Sequence, residues 1–153
     1  MFSAISPIAG TQPFNDWFAP DTVQRHVLGT EVTAVDPYWG LGTFMYVKSN
    51  DTLLKGSIAM YDEAYLGVLC PSTAGQGFSV GVCMAPMASG TFGWIQVAGR
   101  CVYKTVSTVA ADAAIGISGT GAGLVGAATT GKQLVNARNR IAATATVTVA
   151  AIT

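Results

Sequence analysis

Beyond residue 27 the chain alternates apolar and polar side chains with a period of two, the signature of a pleated strand, and not with the 3.6 of a helix. In the longest such run, 90–105, Ile95, Val97, Gly99, Cys101 and Tyr103 fall on one side, and Gln96, Ala98, Arg100, Val102 and Lys104 fall on the other. Similar runs cover 27–35, 42–48, 53–61, 65–70, 78–84, 113–118, 123–128, 133–142 and 144–152. Turn formers separate them, among them Asp36-Pro37, Ser49-Asn50-Asp51 and the loop Pro71 to Gly77. Gly56 marks a bulge or turn inside its run, and Gly99 a bend or a close backbone approach. Ala-rich 106–115 competes as a helix, but Gly, Ser and Thr crowd its ends and no apolar stripe at helical spacing develops. Ten short strands at this spacing predict a single all-β domain, a sandwich or barrel with the jelly roll included. Two strands echo one another: Gly42-Thr43-Phe44-Met45-Tyr46-Val47 returns as Gly90-Thr91-Phe92-Gly93-Trp94-Ile95-Gln96-Val97. Two copies are fewer than a repeat array requires, and two similar strands in one sheet account for them.

Residues 1–22 differ from the rest and predict an extended N-terminal arm ahead of a β domain at 23–153. Pro7, Pro13 and Pro20 exclude a helix, and Phe14, Trp17 and Phe18 are costly to leave in water, roughly 1.5–3 kcal/mol for each large side chain. Such an arm docks on a neighbouring subunit or partner, or folds back over its own core. Phe14, Trp17 and Phe18 are therefore candidate partner contacts. Arg138 and Arg140 join them, because they share one face of their strand with Asn136 and form a solvated or partner-facing edge.

Composition sharpens the picture. Of the 153 residues 50% are hydrophobic and only 10% charged, against roughly 25% in an ordinary soluble domain. Mean hydropathy is +0.44, yet no apolar run reaches the roughly 18 residues of a spanning helix. The nearest approach, 116–131, is broken by glycines and threonines, so no membrane insertion is expected. Eight basic residues balance eight acidic ones with no basic run, which removes the usual electrostatic footing for nucleic-acid binding. A neutral, charge-poor chain tends to associate, so its spare apolar surface predicts an oligomer or a partner. The first residues have neither a positive cluster nor a continuous apolar stretch, and do not read as a signal peptide. Cys70, Cys83 and Cys101 lie in apolar runs without CxxC spacing, which predicts free, buried thiols and synthesis in a reducing compartment.

Reaction chemistry is sought without success. His26 is the only histidine and sits in a polar stretch, where a surface or capping role suits it; no Gly-x-Ser-x-Gly elbow accompanies it. Asp62-Glu63 is the only acidic doublet, and adjacent strand residues point to opposite faces, so glycosidase-type pairing is not expected. Gly119 to Gly123 is glycine-rich but lacks a following Lys-Ser/Thr in phosphate-loop register, and reads as a hairpin loop. Phe44 with Tyr46, and Phe92 with Trp94, suit a core better than a stacking platform. The residues predict no catalytic site, cofactor or metal, and hence not an enzyme.

The stretches Leu28-Gly29-Thr30-Glu31-Val32, Tyr38 to Lys48, Gly56-Ser57-Ile58 and Phe92-Gly93-Trp94-Ile95-Gln96-Val97-Ala98-Gly99, with Val109 to Ala113 and Val135-Asn136-Ala137-Arg138, resemble the small capsid decoration (cement) and head-stabilising proteins of tailed bacteriophages. The resemblance implies a structural virion protein made in the host cytoplasm. It would bind the major capsid protein on the outer surface of the shell, as a trimer or other small homo-oligomer, and bridge neighbouring capsomers. A receptor- or glycan-binding β module that uses Trp39 and Trp94 is the alternative.

Overall fold

The computed structural model describes residues 3–4, 19–36, 40–73, 77, 79–143 and 148–152. Among them there is no helix, and the chain is all-β as predicted. Eleven strands follow in order: β1 (Ser3–Ala4), β2 (Glu31–Asp36), β3 (Gly40–Ser49), β4 (Ile58–Tyr61), β5 (Leu66–Leu69), β6 (Ser79–Cys83), β7 (Phe92–Tyr103), β8 (Ala114–Ile117), β9 (Val125–Ala127), β10 (Gln133–Asn139) and β11 (Thr148–Ile152). Five of them close a ring. β3 pairs with β5 in parallel, β5 with β4, β4 with β6, β6 with β7, and β7 returns antiparallel to β3. A second sheet grows from the far half of β7, in the order β7–β11–β10–β8–β9. β1 and β2 extend from the other side of β3.

Period-two alternation now sorts the apolar residues. Met45 and Val47 of β3, Ala59 of β4, Cys83 of β6 and Ile95 of β7 fill the ring, with Leu53 and Met87. The alternate residues of the same strands face outward, and both outward faces are covered. Ile58, Val82, Cys101 and Tyr103 meet Ile115, Ile117, Val125 and Leu134 of the second sheet. On the opposite wall Phe44, Tyr46 and Trp94 pack under Val32 and Ala34 of β2. A five-strand ring is narrow, and at Gly81 it leaves little room for a side chain: a Cβ there would stand 2.9 Å from Ile95 Cδ1 and 3.1 Å from the Gln96 carbonyl.

The two Gly-Thr-Phe segments are direct neighbours. Tyr46 lies opposite Trp94, flanked by the Phe44–Gln96 and Lys48–Phe92 pairs. Tyr46 and Trp94 are separated by the same 48 residues that separate the two copies, so the echo is a local two-fold within one antiparallel pair.

Several expectations change. The run 53–61 is a strand only from Ile58; Leu53 makes an isolated bridge to Met87, and Gly56 turns the chain with φ of 79°. Within β7 the predicted polar face exists only beyond Gly99. Before it, Gly93, Trp94, Ile95 and Gln96 are all buried, because that half of the strand is covered on both sides. Gln96 meets this burial by folding its amide along its own strand: Nε2 donates to the carbonyls of Ala98 (3.1 Å) and Arg100 (2.9 Å), on either side of Gly99. Gly99 has φ of 92°, and an added Cβ would run into the Leu41 carbonyl, so bend and close approach coincide there. Gly99→Ala should destabilise the fold by roughly 1–3 kcal/mol, from the left-handed backbone alone, read as a lowered urea midpoint.

Cys70, Cys83 and Cys101 are free and buried, as the pattern predicts. Burial pushes the Cys83 thiol from 9.0 up to about 11 and Cys101 up to about 12. Such protons are held in the fold and released on unfolding, so this stabilisation is complete below pH 9 and drains away as pH rises from there toward 12. The native protein should resist a thiol reagent at pH 8 and react with it once denatured, and thermal stability should fall progressively above pH 9.

Candidate functional site

Phe14, Trp17 and Phe18 lie outside the described residues. Arg138 and Arg140 are described and exposed, and Asn136 with them. Their strand is not an edge, however: β10 is hydrogen-bonded between β11 and β8. Asn136 takes φ of 60° where the β10–β8 register shifts, an irregularity hidden in the residue pattern. Arg140 follows the strand and holds Asp112 at 3.1 Å. Arg138 stands in register with Ala151, and Ala151 with Arg100 on β7. Two exposed arginines thus share one row and one face across three strands, about 10 Å apart at two strand spacings. Sequence reading singled out Arg138 alone; the alternation of 100–104 carried the signal for Arg100.

At the other wall the segment leading into β2 is fastened to the ring. Asp21 and Phe92 exchange backbone hydrogen bonds of 2.7 and 2.8 Å, and Tyr46 binds Gly29 and Thr30 in the same way. The Asp21 side chain, 10% exposed, accepts from Arg25 Nε at 2.8 Å and from the Tyr46 hydroxyl at 2.9 Å. The Arg25 amide donates back to that hydroxyl. His26, expected on the surface, is half-buried. Its ring meets Tyr46 edge-on at 5.0 Å and Trp94 at 5.4 Å, because the fastening at Asp21 lays the segment over these aromatics. Burial first, then the Asp21 carboxylate, raises the Tyr46 hydroxyl to about 12, while the Arg25 amide opposes. Trp94 is 3% exposed and offers no platform to a ligand. Trp39 lies outside the described residues.

A third arrangement escaped sequence reading. The β4–β5 turn and the start of β6 line an open groove of about 770 Å³ formed by Tyr61, Asp62, Glu63, Tyr65, Gly77 and Ser79. The Tyr61 and Tyr65 rings lie within 20° of parallel at 6.4 Å. Asp62 and Glu63 are turn residues, not strand residues, so the opposite-face argument does not apply to them. Asp62 Oδ1 accepts the amides of Ala64 (3.0 Å) and Leu66 (2.9 Å), which holds the turn. Tyr65 sits at φ of 58°, and its ring covers Gly29, where any side chain would collide with it. Burial raises the Tyr61 hydroxyl above its usual range; a Ser79 hydrogen bond opposes this, and the charge of Glu31 adds to it. The groove is therefore aromatic and negatively charged.

Among the described residues no three His, Cys, Asp or Glu side chains converge on a common point, and no helix is long and apolar enough to cross a membrane. No protein-family model matches the chain, and no curated protein does.

Asp21 is the one charged side chain on which the fastening turns. Asp21→Ala removes the acceptor of the Tyr46 hydroxyl and the carboxylate that Arg25 Nε holds, and should cost roughly 1–3 kcal/mol. Limited proteolysis should then cut within 19–30 well before the β body unfolds.

Proposed function

We propose that this is a structural virion protein that binds the outer surface of a phage capsid, contacts the major capsid protein and ties neighbouring capsomers together, with no catalytic role of its own. The observation that carries the reading is the fastening at Asp21. It anchors the base of a segment whose preceding residues are rich in Phe, Trp and Pro, on a rigid, charge-poor β body. The segment is tied to the body at Asp21 and, through β1, at β2, and its apolar composition between these ties suits docking against a neighbour. Surface chemistry adds support. Val35 and Leu41 face each other across β2 and β3, and are 40% and 57% exposed where a solitary domain would place polar residues. A small contribution per copy suffices, because many copies act on one shell. The alternative, a glycan- or receptor-binding module, loses Trp94 to the core and is not carried by any described aromatic on that wall.

Purified protein should co-sediment saturably with empty expanded shells of the major capsid protein encoded with it. A chain lacking residues 1–20 should bind them at least tenfold more weakly. Absence of binding to any expanded shell would reject the reading.

A further inference from the structure

Zero net charge conceals a division. Residues 1–98 carry seven acidic and three basic side chains, whereas 99–153 carry five basic and one acidic, a split of −4 against +4. The division coincides with the architecture, since Gly99 is where β7 leaves the ring for the second sheet. Each part presents one described surface of its own sign, formed by two of its charged residues. On the ring, Asp62 and Glu63 line the tyrosine groove, with Glu31 close enough to act on Tyr61. On the second sheet, Arg100 and Arg138 flank Ala151 on the solvent face. Among the described residues neither arginine has a carboxylate partner, whereas nearby Arg140 is already engaged by Asp112.

We infer that copies of this chain associate head to tail, with the Arg100–Arg138 row of one copy seated on the Tyr61–Asp62–Glu63–Tyr65 groove of the next. The chemistry of the two surfaces fits. A guanidinium lies well over the face of a tyrosine and pairs with carboxylates in a planar, two-pronged manner. Glu63 has no role in holding its own turn, which Asp62 performs through Oδ1. The occupant is a second copy because a single chain bears both complementary surfaces in equal and opposite charge. An unrelated partner would have to match only one of them. The surfaces belong to different elements, so the contact is heterologous and repeats around a ring or along a row. This specifies the self-association contained in the shell-binding reading, and it is tested without shells, so either can fail alone.

The test is sedimentation velocity on the full chain, with Glu63→Lys, Arg138→Glu and the double variant carrying both. Both sites are exposed, and unchanged melting temperatures establish that the variants fold. The wild type should self-associate at low ionic strength and dissociate as salt rises, because the pairs lie at a rim within reach of screening. Each single reversal should weaken association by roughly tenfold or more, and the double variant should recover most of the loss, its charges being complementary again. A monomeric wild type at low salt, association indifferent to Arg138→Glu, or a double variant no better than the singles would overturn the inference.

Discussion

The antiparallel pairing of β3 with β7 is the contact on which the rest of the molecule depends. It closes the five-strand ring, and it sets Tyr46 beside Trp94 on the wall that receives β2 and the Asp21 segment. It also aligns Gly42 with Gly99, where β7 turns away to start the second sheet. Without that pairing the ring is an open sheet and the two coverings have no common support. The echo between the Gly-Thr-Phe segments is the trace of this contact in the sequence: similar residues suit similar places on the two sides of a local two-fold.

Closure also accounts for the scarcity of charge. Where a wall strand of the ring has its inner face in the barrel and its outer face under a second layer, neither face meets water. Gly93 to Gln96 are four consecutive buried residues for this reason. The 10% charged content thus reflects strands buried on both sides, and the hydropathy that first raised the question of a membrane has the same origin. Among the buried polar side chains Gln96 satisfies only Nε2 and leaves Oε1 without a hydrogen-bond partner, whereas Asn139 is matched at both ends of its amide. Asn139 is fully buried, accepts from the Tyr103 hydroxyl at 3.1 Å, and donates to the carbonyls of Val109 and Ala110.

Much of this was legible beforehand. Period-two alternation located each strand from β2 to β11, because a pleat imposes that period whatever the strand order. The buried thiols and the absence of a helix around Val109 followed from the same local reasoning. Strand order did not, since pairing β3 with β7 across nearly fifty residues leaves only a faint echo in composition. Nor did Gln96, whose polarity reads as exposure until its amide is seen to bind its own strand. The turn at Asp62 and the row of Arg100 with Arg138 arise only when segments distant in sequence meet. A site assembled from such segments has no local motif to betray it.

β7 belongs to both layers, and this has a consequence for how the chain acquires its structure during synthesis. The ring cannot close until its fifth stave has left the ribosome, and the flank of that stave stays open until β11, at Thr148–Ile152, is made. Shorter nascent chains expose unpaired strand edges that invite association with one another. Folding is therefore a late and concerted event, set by long-range closure and correspondingly slow. A chaperone that shields the emerging chain until the last strand arrives would serve this protein more than one that acts on early, local structure.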